Sequence, residues 1–327
     1  MKKKNKLHFI SKYALSKSIH KSIVNRLRIL ARLYIYREKV DQVISFFSSE
    51  MIMLSIVERH PNIFIKIFRP YLFCDLTHQE KIDYLIGHYR YLRDNFSEKF
   101  IRTVYCDSEQ LLLSNITDDE QPLDITLSYL PPLGKEGELT LAIYRQSSGE
   151  RIYSIAFSFG CRDGKNVIIV GGIQGSDETV TDALGAIKNL TKRLNGLRPR
   201  NFLIFILRQI SILVGVEMII AVSSELHVTQ CSHQKKGDYF KADYNLYWDE
   251  EHGINRGAFY EIPIKEERND FTKIKSNKRA MYRRRYEMLD QYAIEITNSL
   301  KPYLGVILEK HMDARPAGTS VKPQKVI

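Results

Sequence analysis

Apolar residues recur at three- and four-residue spacing along the first hundred positions of the chain, which is the pattern of amphipathic helices. Before residue 40, the following apolar residues share one helical face: Ile19, Ile23, Leu27, Leu30 and Tyr34. Lysines and arginines surround this face. The pattern therefore predicts a basic amphipathic helix that either docks on the core or contacts a membrane surface or nucleic acid.

The helical rhythm continues over residues 41–100, where it predicts several helices joined by short links. One of them has a clear start signal. Thr77 and Glu80 have the spacing of a capping box, in which each side chain accepts a hydrogen bond from the backbone N–H of the other residue. This pair predicts a helix that runs to about Asp94.

After Asn115 the pattern changes from helical spacing to that of strands. Residues 123–129 and 138–144 alternate, and two further strand segments follow at residues 151–159 and 166–170. Asp163-Gly164 separates the last two and is a strong hairpin signal. The sequence therefore predicts a meander of about four antiparallel strands.

The meander leads into a stretch with the element order of an α/β unit. A glycine-rich turn is predicted at Gly171-Gly-Ile-Gln-Gly175, followed by a helix that Ser176 caps and Gly196 ends. A second helix is predicted over residues 200–214. The short apolar run over residues 217–222 predicts a buried strand.

The remaining chain predicts a strand over residues 257–263 and a long helix from Lys275 to about Lys310. We expect an α+β or α/β protein in which a helical N-terminal region precedes a mostly antiparallel sheet with packed helices. Four segments are expected: a basic helix over 1–40, a helical region over 41–115, a core domain over 116–310 and a disordered tail over 311–327.

A membrane span is not predicted. The one apolar run of sufficient length, residues 201–223, contains Arg208 and Glu217. An arginine near the centre of a spanning helix costs about 2.5–3.5 kcal/mol even on a permissive scale. No export signal is evident at the amino terminus, so we expect a cytoplasmic protein, with a peripheral position on the inner membrane as an alternative.

The net charge of +11 and the pI near 9.3 favour an anionic partner: nucleic acid, an anionic lipid or a phosphorylated ligand. The four cysteines lie far apart in sequence, and reduced thiols are expected. His227, Cys231 and His233 are close in sequence but lack a visible fourth ligand, so no metal site is predicted. Serine-hydrolase motifs are absent as well.

Three groups of residues are candidates for binding. Gly171, Gly172, Gln174 and Gly175 lie between a predicted strand and a predicted helix, as in acyl-coenzyme A transferases of the N-acetyltransferase type, so acyl-coenzyme A is a candidate cofactor. Asp177 and Glu178 in the first helical turn would repel its phosphates, however. The alternative is that these glycines serve backbone geometry alone.

The second group consists of cations that could contact an anion or nucleic acid: Arg198, Lys278, Arg279, Arg283, Arg284 and Arg285. A solvated helix start is the alternative. The third group is Asp243, Tyr244 and Trp248, from an aromatic and acidic segment that either lines a ligand pocket or pins a loop on the core.

Five motifs in order resemble the VirK/YbjX family of bacterial proteins over roughly residues 76–300. They are Gly171-Gly-Ile-Gln-Gly175, Gly196-Leu-Arg-Pro199, Ala221-Val-Ser-Ser-Glu-Leu-His-Val228, Asp243-Tyr-Asn-Leu-Tyr-Trp-Asp249 and Lys278-Arg-Ala-Met-Tyr-Arg-Arg-Arg-Tyr286. The resemblance marks these positions for testing without giving them roles: Gln174, Gly175, Arg198, Pro199, Asp243, Trp248 and Arg285.

The resemblance implies a virulence-associated accessory protein of Gram-negative bacteria. Its relatives are associated with production or surface display of a virulence factor and with resistance to cationic antimicrobial peptides. The family has no settled reaction, so no catalytic residue is implied. Three hypotheses follow: an acyltransferase-like ligand-binding core, a nucleic-acid-binding regulator that acts after transcription, and a peripheral membrane adaptor.

Overall fold

The computed structural model describes residues 23–116, 122–176, 180, 182–231 and 243–305. Within these residues the α-helices are α1 (Ile23–Ile35), α2 (Arg37–Phe47), α3 (Met51–Arg59), α4 (His78–Asn95), α5 (Glu98–Arg102), α6 (Ala183–Arg193), α7 (Pro199–Leu213), α8 (Tyr244–Glu250) and α9 (Ser276–Leu300). The strands are β1 (Gln110–Leu113), β2 (Leu123–Ser128), β3 (Leu139–Arg145), β4 (Arg151–Arg162), β5 (Lys165–Gln174), β6 (Met218–Val222), β7 (Ile254–Asn255) and β8 (Phe259–Ile262).

The strands form one sheet in the order β1-β2-β3-β4-β5-β6-β8-β7. Neighbours are antiparallel except β5 and β6, which run parallel and are joined by α6 and α7. The predicted α+β class and the four-stranded meander, β2 to β5, are confirmed. β4 and β5 have long buried runs because helices or loops cover both faces of this part of the sheet.

Several local predictions are also confirmed. Thr77 and Glu80 form the expected capping box at the start of α4. The helix predicted over 200–214 is α7, and the buried strand predicted over 217–222 is β6. The last helix ends at Leu300, earlier than predicted, and the tail predicted to be disordered lies outside the described residues.

One continuous cluster of buried side chains joins the N-terminal helices to the sheet. Phe47 and Val57 from the helical region belong to it together with Ile155 and Ile168 from the sheet. The division into segments at residues 40, 115 and 310 stays a prediction. Among the described residues, no single helix has the length and apolar composition of a membrane span; α2 and α3 reach that threshold only as a pair bent by 114°.

The cysteine prediction was wrong for one pair. Cys74 and Cys231 form a disulfide, with their Cα atoms 4.9 Å apart, whereas Cys106 and Cys161 are free. Cys74 and Cys231 are 157 residues apart, so their spacing in the sequence gave no sign of the pairing. The two segments meet at an isolated β-bridge between Phe73, which is next to Cys74, and His227, which lies four residues before Cys231.

A buried ionic network connects the helical region to the sheet. Lys66 Nζ lies 2.6 Å from Glu138 Oε1, and the Tyr89 hydroxyl donates to Glu138 Oε2 at 2.7 Å. Tyr105 donates to the Glu138 carbonyl oxygen at 2.9 Å and bonds to His88 at 2.6 Å. All these side chains are buried, so each charge depends on its partner.

We predict that Lys66→Met destabilises the protein by about 3–5 kcal/mol, because it leaves the Glu138 carboxylate buried without a counter-charge. The double variant Lys66→Met/Glu138→Gln should regain part of that loss, since it removes the unpaired charge. Urea unfolding of the two variants measures both effects. A loss of less than about 1 kcal/mol in the free energy of unfolding of Lys66→Met would show that the Lys66–Glu138 pair contributes little to the stability of the fold.

Candidate functional site

The predicted glycine-rich turn is wrong in its position, because Gly171, Gly172 and Gln174 lie inside β5. The pairing of β4 with β5 shifts register at this point: Ala156 faces Gly172, but the next residue, Phe157, faces Val170. Gly171 is therefore an extra residue, a β-bulge. The following helix begins at Ala183, and its N-cap is Asp182, not Ser176. Asp177 and Glu178 lie outside the described residues.

Glycine is required in β5 because the loop before β3 presses against it. A Cβ at Gly171 would overlap the carbonyl oxygen of Glu136, and one at Gly172 would overlap the Glu136 carboxylate. The loop is fixed in turn by backbone hydrogen bonds from Leu72 to Lys135 and from Glu138 to Phe157. The close approach of Glu136 thus explains why glycines are needed here. A phosphate site made of backbone amides in a turn is not supported, because Gly171 and Gly172 lie in a strand.

The parallel pairing of β5 with β6 ends at Val170 and Ala221, although β5 continues to Gln174. Tyr244 fills the gap that opens there. Its hydroxyl accepts from the Ile173 N–H at 2.8 Å and donates to the Ile173 carbonyl at 2.9 Å, so one side chain replaces the missing strand partner. β6 itself ends at Val222, so the Tyr244 hydroxyl takes the place of a strand partner beyond the end of β6.

The other aromatic candidates hold α8 against the end of β6. Asp243 is the N-cap of α8 and accepts from the Leu246 N–H at 3.0 Å. Trp248 is fully buried and donates to the Val222 carbonyl at 2.8 Å. These contacts favour the interpretation that the aromatic segment is pinned on the core over one in which it lines a ligand pocket.

A polar cluster that sequence reasoning missed surrounds Glu136. Gln174 Nε2 donates to Glu136 Oε1 at 2.8 Å, and His227 Nε2 lies 3.8 Å from the same oxygen. Burial raises the pKa of Glu136 to about 7 and lowers the pKa of His227 to about 4. Both side chains are therefore neutral in mildly acidic solution. The short Glu-Gly-Glu segment between two strands carries no sequence signal for such a cluster.

Arg198 lies in a cationic cavity of about 530 Å³ beyond the end of β5. We call this cavity the Arg198 pocket; its lining is Tyr153, Ile187, Lys188, Thr191, Lys192, Arg198, Pro199 and Arg200. A Cβ added at Gly175 would lie 3.9 Å from the ring of Tyr153, so the pocket adjoins the glycine segment. Arg198 and Arg200 share one carboxylate, Glu250, while Lys188 and Lys192 are exposed.

The predicted cations of the last helix are not brought to this pocket. Arg285 donates two hydrogen bonds to the Asn195 carbonyl, at 3.0 and 2.8 Å, and Arg279 donates to the Ile274 carbonyl at 3.0 Å. Lys278, Arg283 and Arg284 are exposed at the start of α9. The structure thus separates Arg198 from the α9 group, and nucleic-acid contact by that group stays a prediction.

A larger cavity of about 640 Å³ lies between α2 and α4, where Glu80, Asp83 and Arg90 are among its polar lining residues. Its two carboxylates make it a poor site for an anion. No group of three or more potential metal ligands occurs in the described part of the chain. Cys231 is bonded to Cys74, and His233 lies outside the described residues.

We predict that Gly171→Ala destabilises the protein by about 1–3 kcal/mol or more, because its Cβ would force the backbone of Glu136 away from β5. The matched control is Gly87→Ala in α4, where nothing lies within 4 Å of an added Cβ. Alanine there should be neutral or stabilising by up to about 1 kcal/mol. Chemical unfolding distinguishes them; equal effects would contradict the close approach.

The raised pKa of Glu136 predicts a specific pH dependence. As pH rises from about 4.5 to 7, the unfolded chain loses this proton while the folded protein retains it, so the contribution of Glu136 to the free energy of unfolding decreases across that window. Glu136→Gln removes this dependence. Relative to wild type, the variant should gain about 3 kcal/mol between pH 4.5 and pH 8.

Unfolding curves measured across this pH range test the prediction, with the exposed Glu109→Gln as the matched control that also removes one charge. Wild type and Glu136→Gln with parallel stability profiles would contradict the assignment. The lowered pKa of His227 has the opposite effect. As pH falls from 6.5 to about 4, the unfolded chain takes up a proton at His227 and the folded protein does not, so the free energy of unfolding decreases. The His227 contribution overlaps the Glu136 window between pH 4.5 and 6.5, but wild type and Glu136→Gln share it, so it cancels in the difference between their stability profiles.

Comparison with known proteins gives a family but no described activity. The family model for a protein of unknown function (DUF535) matches residues 18–298. The uncharacterized protein YbjX of Escherichia coli (strain K12) is 31% identical over 239 residues, which cover 72% of this chain and 71% of the relative. An uncharacterized Haemophilus influenzae protein is 25% identical over 296 residues, or 87% of this chain and 93% of that one.

A second uncharacterized Haemophilus influenzae protein is 28% identical over 179 residues, which cover 54% of this chain and 57% of the relative. No solved structure gives a significant match. The family match extends over most of the chain and includes all five motifs on which the VirK/YbjX resemblance rests, so that prediction is confirmed. The chain belongs to the DUF535 family, together with YbjX.

Proposed function

We propose that the protein is an envelope-associated accessory protein whose core binds an anionic ligand with an apolar part, such as acyl-coenzyme A, in the Arg198 pocket. The observation that carries this proposal is the composition of the pocket: its lining combines four cations with the apolar surfaces of Tyr153, Ile187 and Pro199. Such a lining suits phosphates joined to a hydrocarbon.

The charges in the pocket support an anion more strongly than their number alone suggests. The pocket includes the first residues of α7, whose helix dipole adds partial positive charge, and no acidic residue lies in its first turn. Glu250 pairs with Arg198 and Arg200, which leaves a clear cationic excess from Lys188 and Lys192. Glu250 also holds the two arginines in place before any ligand arrives.

The location of the pocket is a second support. It lies at the carboxyl end of β5, next to the one parallel strand pair found in the described sheet. In open sheets, ligands bind beyond the carboxyl ends of strands, at the point where the connections change direction. The comparison with N-acetyltransferases rested on the glycine segment at the end of the meander, and this segment adjoins the pocket. A transfer reaction on the bound acyl group is therefore the enzymatic form of this proposal.

We extend the proposal to the setting that the VirK/YbjX resemblance implies. There, the protein would act at the cytoplasmic face of the envelope, support production or surface display of a virulence factor and contribute to resistance against cationic peptides. An acyl-bearing phosphate ligand fits that setting, since envelope lipids and their acyl donors combine the same two chemistries.

Calorimetric titration of the purified full-length chain with octanoyl-coenzyme A tests the proposal. Each of Arg198→Ala and Lys192→Ala should weaken binding about tenfold, because each removes one charge-assisted contact to phosphate. The matched control is Arg284→Ala, which removes the same charge from the exposed start of α9 and should leave the affinity unchanged.

Coenzyme A without the acyl chain separates the two parts of the site. It should bind more weakly than octanoyl-coenzyme A, since no hydrocarbon chain is then buried against the apolar lining residues. No heat and no thermal shift with millimolar octanoyl-coenzyme A would refute the proposal. So would an equal loss of affinity in Arg284→Ala and Arg198→Ala, because the attraction would then be non-specific.

A further inference from the structure

Helix α1 exposes an apolar face to solvent. The exposed fractions are 60% for Leu27, 42% for Leu30, 74% for Tyr34 and 66% for Ile35. At 3.6 residues per turn these four residues, with the exposed Ala31, fall within one arc of about 140°. An arc of this width is the size of a helix face that normally packs against something.

The opposite face of α1 holds the helix on the protein. Ile29 and Leu33 are each only 6% exposed and belong to the core cluster. Arg32 donates to the Phe68 carbonyl at 3.2 Å, and the Tyr36 ring just beyond the helix stacks on His78 at 4.1 Å. Among the described residues the core therefore takes one face and leaves the other uncovered.

The sequence left open whether the predicted apolar face docks on the core or contacts a membrane surface or nucleic acid. The face predicted from Leu27, Leu30 and Tyr34 is the exposed one, whereas the docked face is built from Ile29 and Leu33. The helix thus has two apolar faces, and simple docking on the core accounts for only one of them. Large exposed apolar patches on a protein mark an interaction surface.

The charge of the chain is concentrated at the same end. Residues 1–39 contain twelve lysines and arginines and one glutamate, a net charge of +11, which equals the net charge of the whole chain. The remaining 288 residues are balanced, with 37 cations and 37 anions. Arg28 and Arg32 are exposed next to the apolar arc, and Arg37 lies 6.0 Å from the Tyr34 ring.

We propose that α1 forms a docking surface for an anionic membrane, with the Leu27 to Ile35 face inserted among the lipids and the exposed Arg28 and Arg37 facing their head groups. An apolar arc bordered by cations, in a segment rich in lysine and arginine, suits a surface that offers hydrocarbon below a layer of negative charge. Nucleic acid would use the cations but leave four large apolar side chains unexplained.

A second copy of this chain is the less favourable occupant. Packing two α1 faces together would bring two segments of +11 charge into contact. Anionic lipid neutralises that charge and covers the apolar arc at the same time. This inference is independent of the Arg198 pocket, which lies on other elements.

Vesicle flotation with the full-length chain tests the inference. The probes are vesicles of phosphatidylcholine alone and of phosphatidylcholine with 30% phosphatidylglycerol, a composition on the order used to mimic anionic leaflets. The triple variant Leu27→Ser/Leu30→Ser/Tyr34→Ser leaves the charge unchanged. Its partition onto anionic vesicles should fall by about tenfold or more, because the apolar insertion is lost.

The matched control is Leu184→Ser/Leu246→Ser/Ile254→Ser, which changes residues that are 81%, 59% and 52% exposed on other elements and should bind like wild type. The charge variant Arg28→Gln/Arg37→Gln should lose about tenfold on anionic vesicles. Wild type should bind vesicles of phosphatidylcholine alone much more weakly.

Several outcomes would overturn the inference. Equal vesicle binding by wild type and the apolar triple variant would show that charge alone acts. Binding of a single-stranded RNA without vesicle binding would assign the surface to nucleic acid. A dimer that the triple variant abolishes would assign it to a second copy, and a loss of thermal stability that requires residues 1–22 would assign it to the chain's own amino-terminal segment.

Discussion

The close approach of Glu136 to β5 is the constraint on which the central part of the structure depends. Because the loop before β3 lies against this strand, Gly171 and Gly172 must lack side chains, and the strand takes a bulge. Pairing with β6 ends at the same place, since β6 stops at Val222, and the hydroxyl of Tyr244 supplies hydrogen bonds to Ile173 instead. The bulge, the end of the parallel pair and the Tyr244 contact thus all lie within residues 170–173 of β5.

Two buried polar clusters contact the sheet, one around Glu138 and one around Glu136. The Lys66–Glu138 pair is fully partnered and joins the helical region to β3 and β4. Glu136 is different, because its second oxygen, Oε2, has no hydrogen-bond partner among the described residues although the side chain is buried. A carboxyl group in that situation keeps its proton to a higher pH, so the same cluster that shapes the backbone also titrates near neutrality.

Much of this fold could be predicted from local pattern. The capping box at Thr77, the alternation of the meander and the short apolar run of β6 each depend on neighbouring residues, and each prediction was confirmed. The prediction of a glycine-rich turn failed because Gly171 is required by its contact with Glu136, which is 35 positions away in sequence. The Cys74–Cys231 pairing failed for the same reason, since only the folded chain brings those segments together.

The candidate site shows the same limit. Arg198 was found from its motif, but Lys188 and Lys192 join it only through the packing of α6 beside the start of α7. Arg285, chosen because it belongs to a dense basic run, is bonded to the Asn195 carbonyl instead. A count of charges along the sequence could not distinguish a cation bonded within the fold from one that faces a cavity.

Hydrogen exchange with and without saturating octanoyl-coenzyme A is the most direct measurement of where an anionic acyl ligand binds. Our account predicts slower amide exchange at the end of α6, at the start of α7 and around Tyr153, with little change elsewhere. Protection confined to the first turns of α9 or to α1, or no protection at all, would contradict the assignment of the Arg198 pocket as the ligand site.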